Sequence, residues 1–127
     1  SYGTKFEEYL KVSYEETVVI LQIEHIDALN ELEDILSLDN IDAYIIGPYD
    51  LSGSMGIPGQ FDDEGYLKTI EEIKSIGQRV GKPGGIHIVE PDLEAYNKAS
   101  EEYSFIAYSV DFRMLDISSR SATQKRD

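Results

Sequence analysis

The stretch VVILQIE at residues 18–24 is an apolar run of strand character that ends on a carboxylate, Glu24. A second run, IDAYIIG at residues 41–47, leads into PYDL, so that Asp50 lies just beyond its end. Runs this rich in valine, isoleucine and leucine are typical of parallel strands covered on both faces, and such sheets bind ligands beyond the carboxyl ends of their strands. A carboxylate at that place costs stability unless it binds something. Two such carboxylates brought together predict a site for a divalent cation, which prefers oxygen ligands.

Strand and helix patterns alternate along the chain. Strands are predicted at residues 18–24, 41–47, 84–89 and 105–110. Helices are predicted at residues 4–13, at about 26–38, from Asp62 or Asp63 to Val80 with Gly81 as the stop, from Pro91 to about Ala99, and from about Phe112. This alternation is typical of one parallel sheet with right-handed crossovers. The predicted fold is therefore α/β, with four parallel strands in chain order, each followed by a helix.

Two segments are predicted to lack regular structure. Glycines and prolines between Pro48 and Gly59 predict a loop beside the second carboxylate, and loops at such places carry function. From Ser118 onward the apolar period is lost, so residues 118–127 are predicted to be a frayed tail or to be held by a partner chain. By length, residues 1–127 form a single domain.

Composition limits the partners of the chain. The formal net charge of −14 argues against nucleic acid and anionic membrane surfaces, because phosphate binding depends on lysine and arginine. The sequence has no cysteine, which excludes a disulfide framework. It has neither a signal-peptide pattern nor an apolar stretch of 18 residues, and this favours a cytoplasmic protein.

Five short motifs follow one another in an order known from one protein family. They are QIE at 22–24, IGPYDLS at 46–52, MG at 55–56, GKPGGI at 81–86 and AYSVD at 107–111. Together they resemble the second half of the HpcH/HpaI aldolase family, over roughly residues 1–115. The resemblance implies the C-terminal half of a (β/α)₈ TIM barrel, with barrel strands five to eight. The length agrees, because 127 residues are about half of a typical barrel of roughly 250.

The resemblance also implies a chemistry. In that family the glutamate ending the fifth strand and the aspartate after the sixth bind Mg²⁺, Mn²⁺ or Co²⁺, and these roles would fall on Glu24 and Asp50. The metal holds pyruvate as its enolate, which reacts reversibly with an aldehyde to give 2-keto-3-deoxy or 4-hydroxy-2-oxo acids. The competing solution is a Schiff-base lysine. Lys82 is the one lysine near a strand, and it precedes its strand and would lie at the opposite rim.

Substrate contacts are predicted around the second metal ligand. A turn at Gly47 and Pro48 would point the amides near Tyr49 and Asp50 toward the carboxylate of a bound anionic substrate. These four residues are therefore the predicted substrate-binding positions. Tyr49 departs from the small residue usual in the family, and its phenol could narrow the pocket or add a hydrogen-bond donor.

The remaining polar residues near strand ends have less specific interpretations. Gln22 shares a strand face with Glu24, so it is either a hydrogen-bond partner of that ligand or a polar filler of the barrel interior. His25 is predicted to lie at the surface or against a helix, and His87 to be a buried, hydrogen-bonded imidazole. Asp111 is better explained as a helix cap than as a ligand. The chain has no assigned catalytic residue, because the family carries its His–Asp base and its pyruvate-binding arginine in the first half of the barrel.

Alternative functions remain open at this point. The chain is either a fragment of a longer enzyme or a stand-alone half barrel, which would be a non-catalytic binding or assembly module. A citrate-lyase-β or malyl-CoA-lyase-like enzyme would share the two ligands, but IGPYDL is closer to the aldolases. The expected partners are pyruvate and an aldehyde, together with the N-terminal barrel half or like chains. By resemblance the protein is expected to be a homo-oligomer.

Overall fold

The computed structural model describes residues 5–123. In chain order its elements are helix α1 (Phe6–Glu16), strand β1 (Ile20–Ile23), a 3₁₀ helix (Ile26–Glu31) continuing as α2 (Leu32–Leu36), β2 (Ala43–Ile46), α3 (Pro48–Ser54), α4 (Glu64–Val80), β3 (Gly84–Ile88), α5 (Leu93–Glu102), β4 (Phe105–Tyr108) and α6 (Asp111–Thr123). Within that range no helix combines the length and the apolar character that crossing a membrane requires.

The four strands form one parallel sheet in the order β1-β2-β3-β4. This confirms the predicted topology, in which each strand is followed by a helix. Each strand is one to three residues shorter than the apolar run that predicted it. The reason is that the ends of each run leave the hydrogen-bonded ladder before they lose their apolar character.

The predicted loop at residues 48–59 was wrong over its first seven residues, which form α3. Pro48 is the first residue of this helix, where its missing N–H and fixed φ are no disadvantage. Gly53 is tolerated within the helix, and Gly56 follows its end with a φ of 77°. Glycine and proline content therefore indicated a loop where the positions of these residues allow a short helix.

Helix α4 agrees with its sequence signals at both ends. The Oδ1 of Asp63 accepts hydrogen bonds from the amides of Gly65 at 2.8 Å and Tyr66 at 3.1 Å, so Asp63 and not Asp62 is the cap. Gly81 ends the helix in the left-handed region with a φ of 72°.

The last two helices differ from their predicted limits. Helix α5 begins at Leu93 with Asp92 as its cap, so Pro91 precedes the helix instead of opening it. Helix α6 begins at Asp111 and runs to Thr123, so residues 118–123 are helical. The remainder of the predicted tail, residues 124–127, lies outside the described residues, and its contact with a partner chain stays a prediction.

Helices cover one face of the sheet within residues 5–123, whereas the apolar strands indicated cover on both faces. The large apolar side chains that are fully buried include Leu32 and Leu36 of α2, Ile73 of α4, Leu51 of α3 and Ile46 of β2. They form one core between the sheet and these helices. Burying such side chains stabilises the fold by roughly 1.5–3 kcal/mol each before entropy is subtracted.

The opposite face, here called the inner face, is set by strand register. Gln22 pairs with Ile45, Ile45 with Gly85, and Gly85 with Phe105, so these four residues point to the same side of the sheet. Residues two positions further along each strand share that side, which places Glu24 and His87 on the inner face. This face, with the strand ends above it, positions the candidate site.

Two glycines make room for a buried tyrosine on the helix side. A Cβ added at Gly77 of α4 or at Gly84 of β3 would overlap the ring of Tyr44. Tyr44 is 3% exposed, and this burial raises the pKa of its phenol. The ring therefore lies directly against the backbone of both neighbouring elements, and α4 approaches the sheet through this contact.

We expect Gly77→Ala to destabilise the protein by about 1–3 kcal/mol, because the added methyl group overpacks the contact with Tyr44. Alanine's better helix propensity, worth roughly 0.5–1 kcal/mol, would offset part of that cost. Urea unfolding measures the difference. The matched control is Gly53→Ala in α3, where an added Cβ meets nothing within 4 Å. Equal stability of the two variants would contradict this account of the packing.

Candidate functional site

The two candidate ligands lie at the same edge of the sheet. Glu24 directly follows β1, and Asp50 lies in the first turn of α3, which follows β2. Because β1 and β2 are adjacent and parallel, their carboxyl ends meet at one edge. Both side chains are exposed there. Their positions after adjacent parallel strands agree with the sequence prediction. That they share one cation, with carboxylate oxygens around 4–5 Å apart, stays a prediction.

Gln22 contacts Glu24 directly. The Nε2 of Gln22 donates a hydrogen bond to the Oε2 of Glu24 at 2.6 Å. The bond orients one carboxylate oxygen and leaves the other without a recorded protein partner within residues 5–123. Of the two interpretations of Gln22, the structure contains the contact that a ligand-orienting role requires. Its role at a metal site stays a prediction.

Gly47 leaves the space that these two side chains use. A Cβ at Gly47 would lie 2.9 Å from Gln22 Nε2, 3.3 Å from Glu24 Cβ and 3.6 Å from Glu24 Oε2. Its φ of −97° is accessible to any residue, so the glycine is explained by the close approach and not by a turn. The carboxylate of Glu24 thus lies close to the backbone of Gly47, at the end of β2.

A serine connects the two ligand-bearing segments. The Oγ of Ser54, at the end of α3, accepts a hydrogen bond from the amide of Ile26 at 2.9 Å and donates one to the carbonyl of Leu51 at 2.7 Å. Ile26 is two residues beyond Glu24, so this contact couples the position of the β1 end to that of α3. Sequence reasoning missed Ser54, because no local signal links residues 28 positions apart.

The first turn of α3 contains the predicted substrate-binding positions. Pro48 is buried, and the amide of Leu51 donates to the carbonyl of Gly47 at 3.0 Å, the first hydrogen bond of the helix. The amides of Tyr49 and Asp50 precede that bond and so have no partner within the helix. Whether they contact a substrate stays a prediction.

The side chain of Tyr49 takes part in an aromatic contact. It is 47% exposed, and its ring lies edge-on to Phe61 with centroids 5.0 Å apart. Phe61 in turn packs at 5.5 Å from Tyr66, whose pKa is raised to about 12 by burial. Tyr49 therefore extends the core toward the strand ends instead of standing alone in solvent.

A groove of about 540 Å³ begins beside Tyr49. It runs between α4 and α5 over the outer surface of β3, and its lining is mainly apolar. Pro48, Tyr49, Phe61, Ile70, Ala95 and Tyr103 are among the lining residues. They come from separate elements, which is why sequence analysis did not find the groove.

The donor set fits part of a metal site. Within residues 5–123 no group of three or more His, Cys, Asp or Glu side chains is arranged to hold a metal ion. Mg²⁺, however, is commonly bound through one or two carboxylates, with waters and substrate oxygens completing the octahedron. Glu24 and Asp50 supply two carboxylates and no soft ligand, and the space at Gly47 keeps Glu24 accessible. The residues fit a hard divalent cation that shares its coordination with substrate.

Lys82 lies at the other end of the sheet, as predicted. Its Nζ donates to the carbonyls of Ile41 at 2.5 Å and Leu38 at 3.4 Å, in the segment that leads into β2. A lysine held there cannot reach a ligand at the carboxyl ends of the strands. The structure thus removes Lys82 as a Schiff-base candidate.

His25 has the surface position predicted for it, whereas Asp111 is the first residue of α6 and not its N-cap, because the amide of Met114 donates to the carbonyl of Val110. His25 is exposed, and its Nδ1 accepts a hydrogen bond from the amide of Asp27 at 3.3 Å at the start of the 3₁₀ helix. The Oδ1 of Asp111 accepts from the amide of Phe112 at 2.7 Å. Both side chains satisfy helix starts.

We expect Ser54→Ala to speed hydrogen exchange of the Ile26 amide and to cost about 1 kcal/mol of stability, because that half-buried donor loses its partner. The exchange rate is read from two-dimensional NMR spectra. Ser37→Ala is the control, since the Oγ of Ser37 donates only to the carbonyl of Glu33 one turn earlier. Unchanged Ile26 exchange would mean that Ser54 does not hold the two segments together.

Comparison with protein families identifies one that covers most of the chain. Residues 2–115 match the family model described as HpcH/HpaI aldolase/citrate lyase. A pyruvate aldolase of Rhizobium etli is 35% identical over 107 residues, covering 84% of this chain and 42% of the relative. A 2-keto-3-deoxy-L-rhamnonate aldolase of Klebsiella pneumoniae is 34% identical over 110 residues, with 84% and 40% covered. The chain thus spans about two-fifths of the length of these relatives.

Solved structures also match nearly all of this chain over about half of their own length. A HpcH/HpaI aldolase/citrate lyase family protein from Burkholderia cenocepacia superposes with a TM-score of 0.84 at 27% identity, covering 97% of this chain and 47% of that one. A HpcH/HpaI aldolase from Desulfitobacterium hafniense gives 0.79 at 24% identity, covering 94% and 46%. The prediction of half a (β/α)₈ barrel is therefore confirmed.

Proposed function

Because this chain belongs to the HpcH/HpaI aldolase/citrate lyase family, we propose that the protein it represents is a divalent-metal-dependent aldolase. The enzyme would form or cleave a carbon–carbon bond between the enolate of pyruvate and an aldehyde. The observation that carries the proposal is the presence of Glu24 and Asp50 at one edge of the sheet, with Glu24 oriented by Gln22. The aldolase names of the relatives described above support the same reaction class.

Glu24 and Asp50 would hold the metal ion, which is Mg²⁺ or alternatively Mn²⁺ or Co²⁺. Such an ion supplies a positive charge that stabilises the enolate oxygen. The protein's part is to present the ligands in a fixed geometry. Gln22 holds one oxygen of Glu24 through its amide, and Gly47 keeps the space beside that carboxylate open.

Gly47, Pro48, Tyr49 and Asp50 would bind the pyruvate end of the substrate. The amides of Tyr49 and Asp50 have no partner within α3 and are suited to a carboxylate. Pro48 adds rigidity, because its ring fixes the backbone at the helix start. The phenol of Tyr49, held against Phe61, would border the pocket and limit its width.

The chain would supply only part of the active site. By family resemblance the His–Asp base and the arginine for the pyruvate carboxylate belong to the other half of the barrel. We therefore propose that this half works with an N-terminal half barrel, within a homo-oligomer, on 2-keto-3-deoxy or 4-hydroxy-2-oxo acids. A citrate-lyase-like reaction is the weaker alternative, since the curated relatives described above are aldolases.

We expect Glu24→Gln and Asp50→Asn each to weaken Mn²⁺ binding by more than the roughly 10–100-fold loss typical when an outer-shell partner is removed. Gln22→Leu should fall within that range. Turnover of pyruvate with an aldehyde should fall in parallel and should vanish when EDTA removes the metal. Electron paramagnetic resonance of free Mn²⁺ measures the affinity.

The control is Asp39→Asn. Asp39 is an exposed carboxylate in the turn before β2, at the amino ends of the strands. This substitution should leave both Mn²⁺ affinity and turnover unchanged. Full Mn²⁺ affinity in Glu24→Gln would overturn the assigned site. Strong Mn²⁺ binding by a full-length protein that turns over no aldehyde would instead favour a non-catalytic module.

We expect the 127-residue chain by itself to associate and to have no aldolase activity. Strands β1 and β4 are the two outermost strands of the sheet. Each exposes unpaired backbone groups, which attract other strands. Light scattering and a pyruvate aldolase assay with Mn²⁺, run in the same buffer, test the two statements. A monodisperse monomer with turnover would show that the base and the arginine have been wrongly assigned to the other half.

A further inference from the structure

His87 lies on the inner face in the same row as Glu24. Ile23 pairs with Ile46 and Ile46 with Ile86, so the next row across the sheet is Glu24, Gly47 and His87. Gly47, between them, has no side chain, and the carboxylate of Glu24 lies close to it. At roughly 4.8 Å per strand, the backbones of Glu24 and His87 are about 10 Å apart. The imidazole and the candidate metal ligand therefore border the same space from opposite sides.

Ser109 holds the imidazole through an unusual backbone conformation. Its φ of 60° is the one positive value among non-glycine residues 5–123. Such a conformation costs free energy and persists only where surrounding contacts maintain it. Here the amide of Ser109 donates to the carbonyl of Ile88 at 2.6 Å, and its Oγ donates to the carbonyl of Val89 at 2.8 Å. These bonds fasten Ser109 to the end of β3, with its own carbonyl 3.3 Å from His87 Nε2.

This contact determines which nitrogen of His87 carries the proton. A carbonyl oxygen can only accept, so Nε2 must donate to Ser109. In the neutral imidazole Nδ1 is then a lone-pair acceptor. No hydrogen bond to Nδ1 occurs within residues 5–123.

Among residues 5–123, the side chains that neighbour His87 on the inner face offer no free donor, because the Oγ of Ser109 already donates to the carbonyl of Val89. The neighbouring inner-face side chains are those of Ile45, Phe105 and Ala107, and the ring of Phe105 lies over Gly85. All of these are apolar. A half-buried acceptor in such surroundings gains most from a donor that arrives with a ligand.

We propose that His87 is a specificity-determining residue of the aldolase site, whose Nδ1 accepts a hydrogen bond from a hydroxyl group on the aldehyde part of the substrate. This inference rests on the proposed function, which places the pyruvate part at Glu24 and Asp50. An aldehyde part that extends from there across Gly47 reaches His87. Pyruvate has no hydroxyl group to donate, so the hydroxyl group must belong to the aldehyde. The preferred aldehyde substrates are therefore hydroxyaldehydes. Ser109 is the positioning residue, because its carbonyl holds the proton of the neutral imidazole on Nε2.

The test compares two aldehydes of similar size in the full-length native protein. Glycolaldehyde carries the hydroxyl group, and propionaldehyde has a methyl group in its place. We expect His87→Leu to lower the ratio of their kcat/KM values about 10-fold, the usual effect of losing one hydrogen bond. His87→Asn should keep most of the ratio, because its amide oxygen can replace Nδ1 as the acceptor. His25→Leu, at the other histidine, should leave the ratio of the two kcat/KM values unchanged.

A second measurement is independent of turnover and of any variant. Two-bond ¹H–¹⁵N correlation spectra of the unmodified protein should identify His87 as the Nε2–H tautomer. An Nδ1–H tautomer would overturn the inference, as would an unchanged aldehyde ratio in His87→Leu of an active enzyme. If the unmodified protein accepts no aldehyde, the proposed function fails and the inference falls with it. The two failures are therefore distinguishable by the activity of the unmodified protein.

Discussion

The parallel register of β1 and β2 is the constraint on which the rest of the site depends. It places Glu24 beside Gly47, and the amide of Gly47 still donates to the carbonyl of Ile23 at 3.0 Å at the very end of the pair. A shift of one residue would turn Gln22 and Glu24 to the helix side and bury both polar groups in the core. The core helices and the site are thus specified by the same hydrogen-bonded ladder.

Close approach at glycine is the second recurring feature of this half barrel. On the helix side Gly77 and Gly84 admit the ring of Tyr44, and on the inner face Gly85 lies under Phe105. At the strand ends, Gly47 leaves space for the polar side chains of Gln22 and Glu24. The first group serves packing, and Gly47 serves the candidate ligand. Replacing any of them would move a neighbouring side chain, although only Gly47 would move one with a proposed chemical role.

The division of the barrel explains why the chain would carry the proposed metal ligands without a complete active site. Ligands from adjacent strands meet at one edge because parallel strands share their direction, so two strands suffice to form a pair of carboxylates. The base and the arginine that the family resemblance implies would face those carboxylates from across the barrel, so they would come from strands on the far side. The family relatives are more than twice as long as the matched region, which agrees with that arrangement.

The sequence by itself determined the four strands, their order in one parallel sheet and the C-terminal stop of α4 at Gly81, since apolar periodicity and glycine stops act locally. It also placed Glu24 and Asp50 after adjacent parallel strands, but it left the cap of α4 open between Asp62 and Asp63. Tertiary structure decided what depends on contacts between distant residues. Ser54 binds the amide of Ile26, and Ser109 takes a left-handed conformation to hold His87. Helix α3 was missed because composition indicates a loop, whereas position decides whether glycine and proline interrupt a helix. Local patterns carry no information about such partners, because hydrogen bonds and packing form through space.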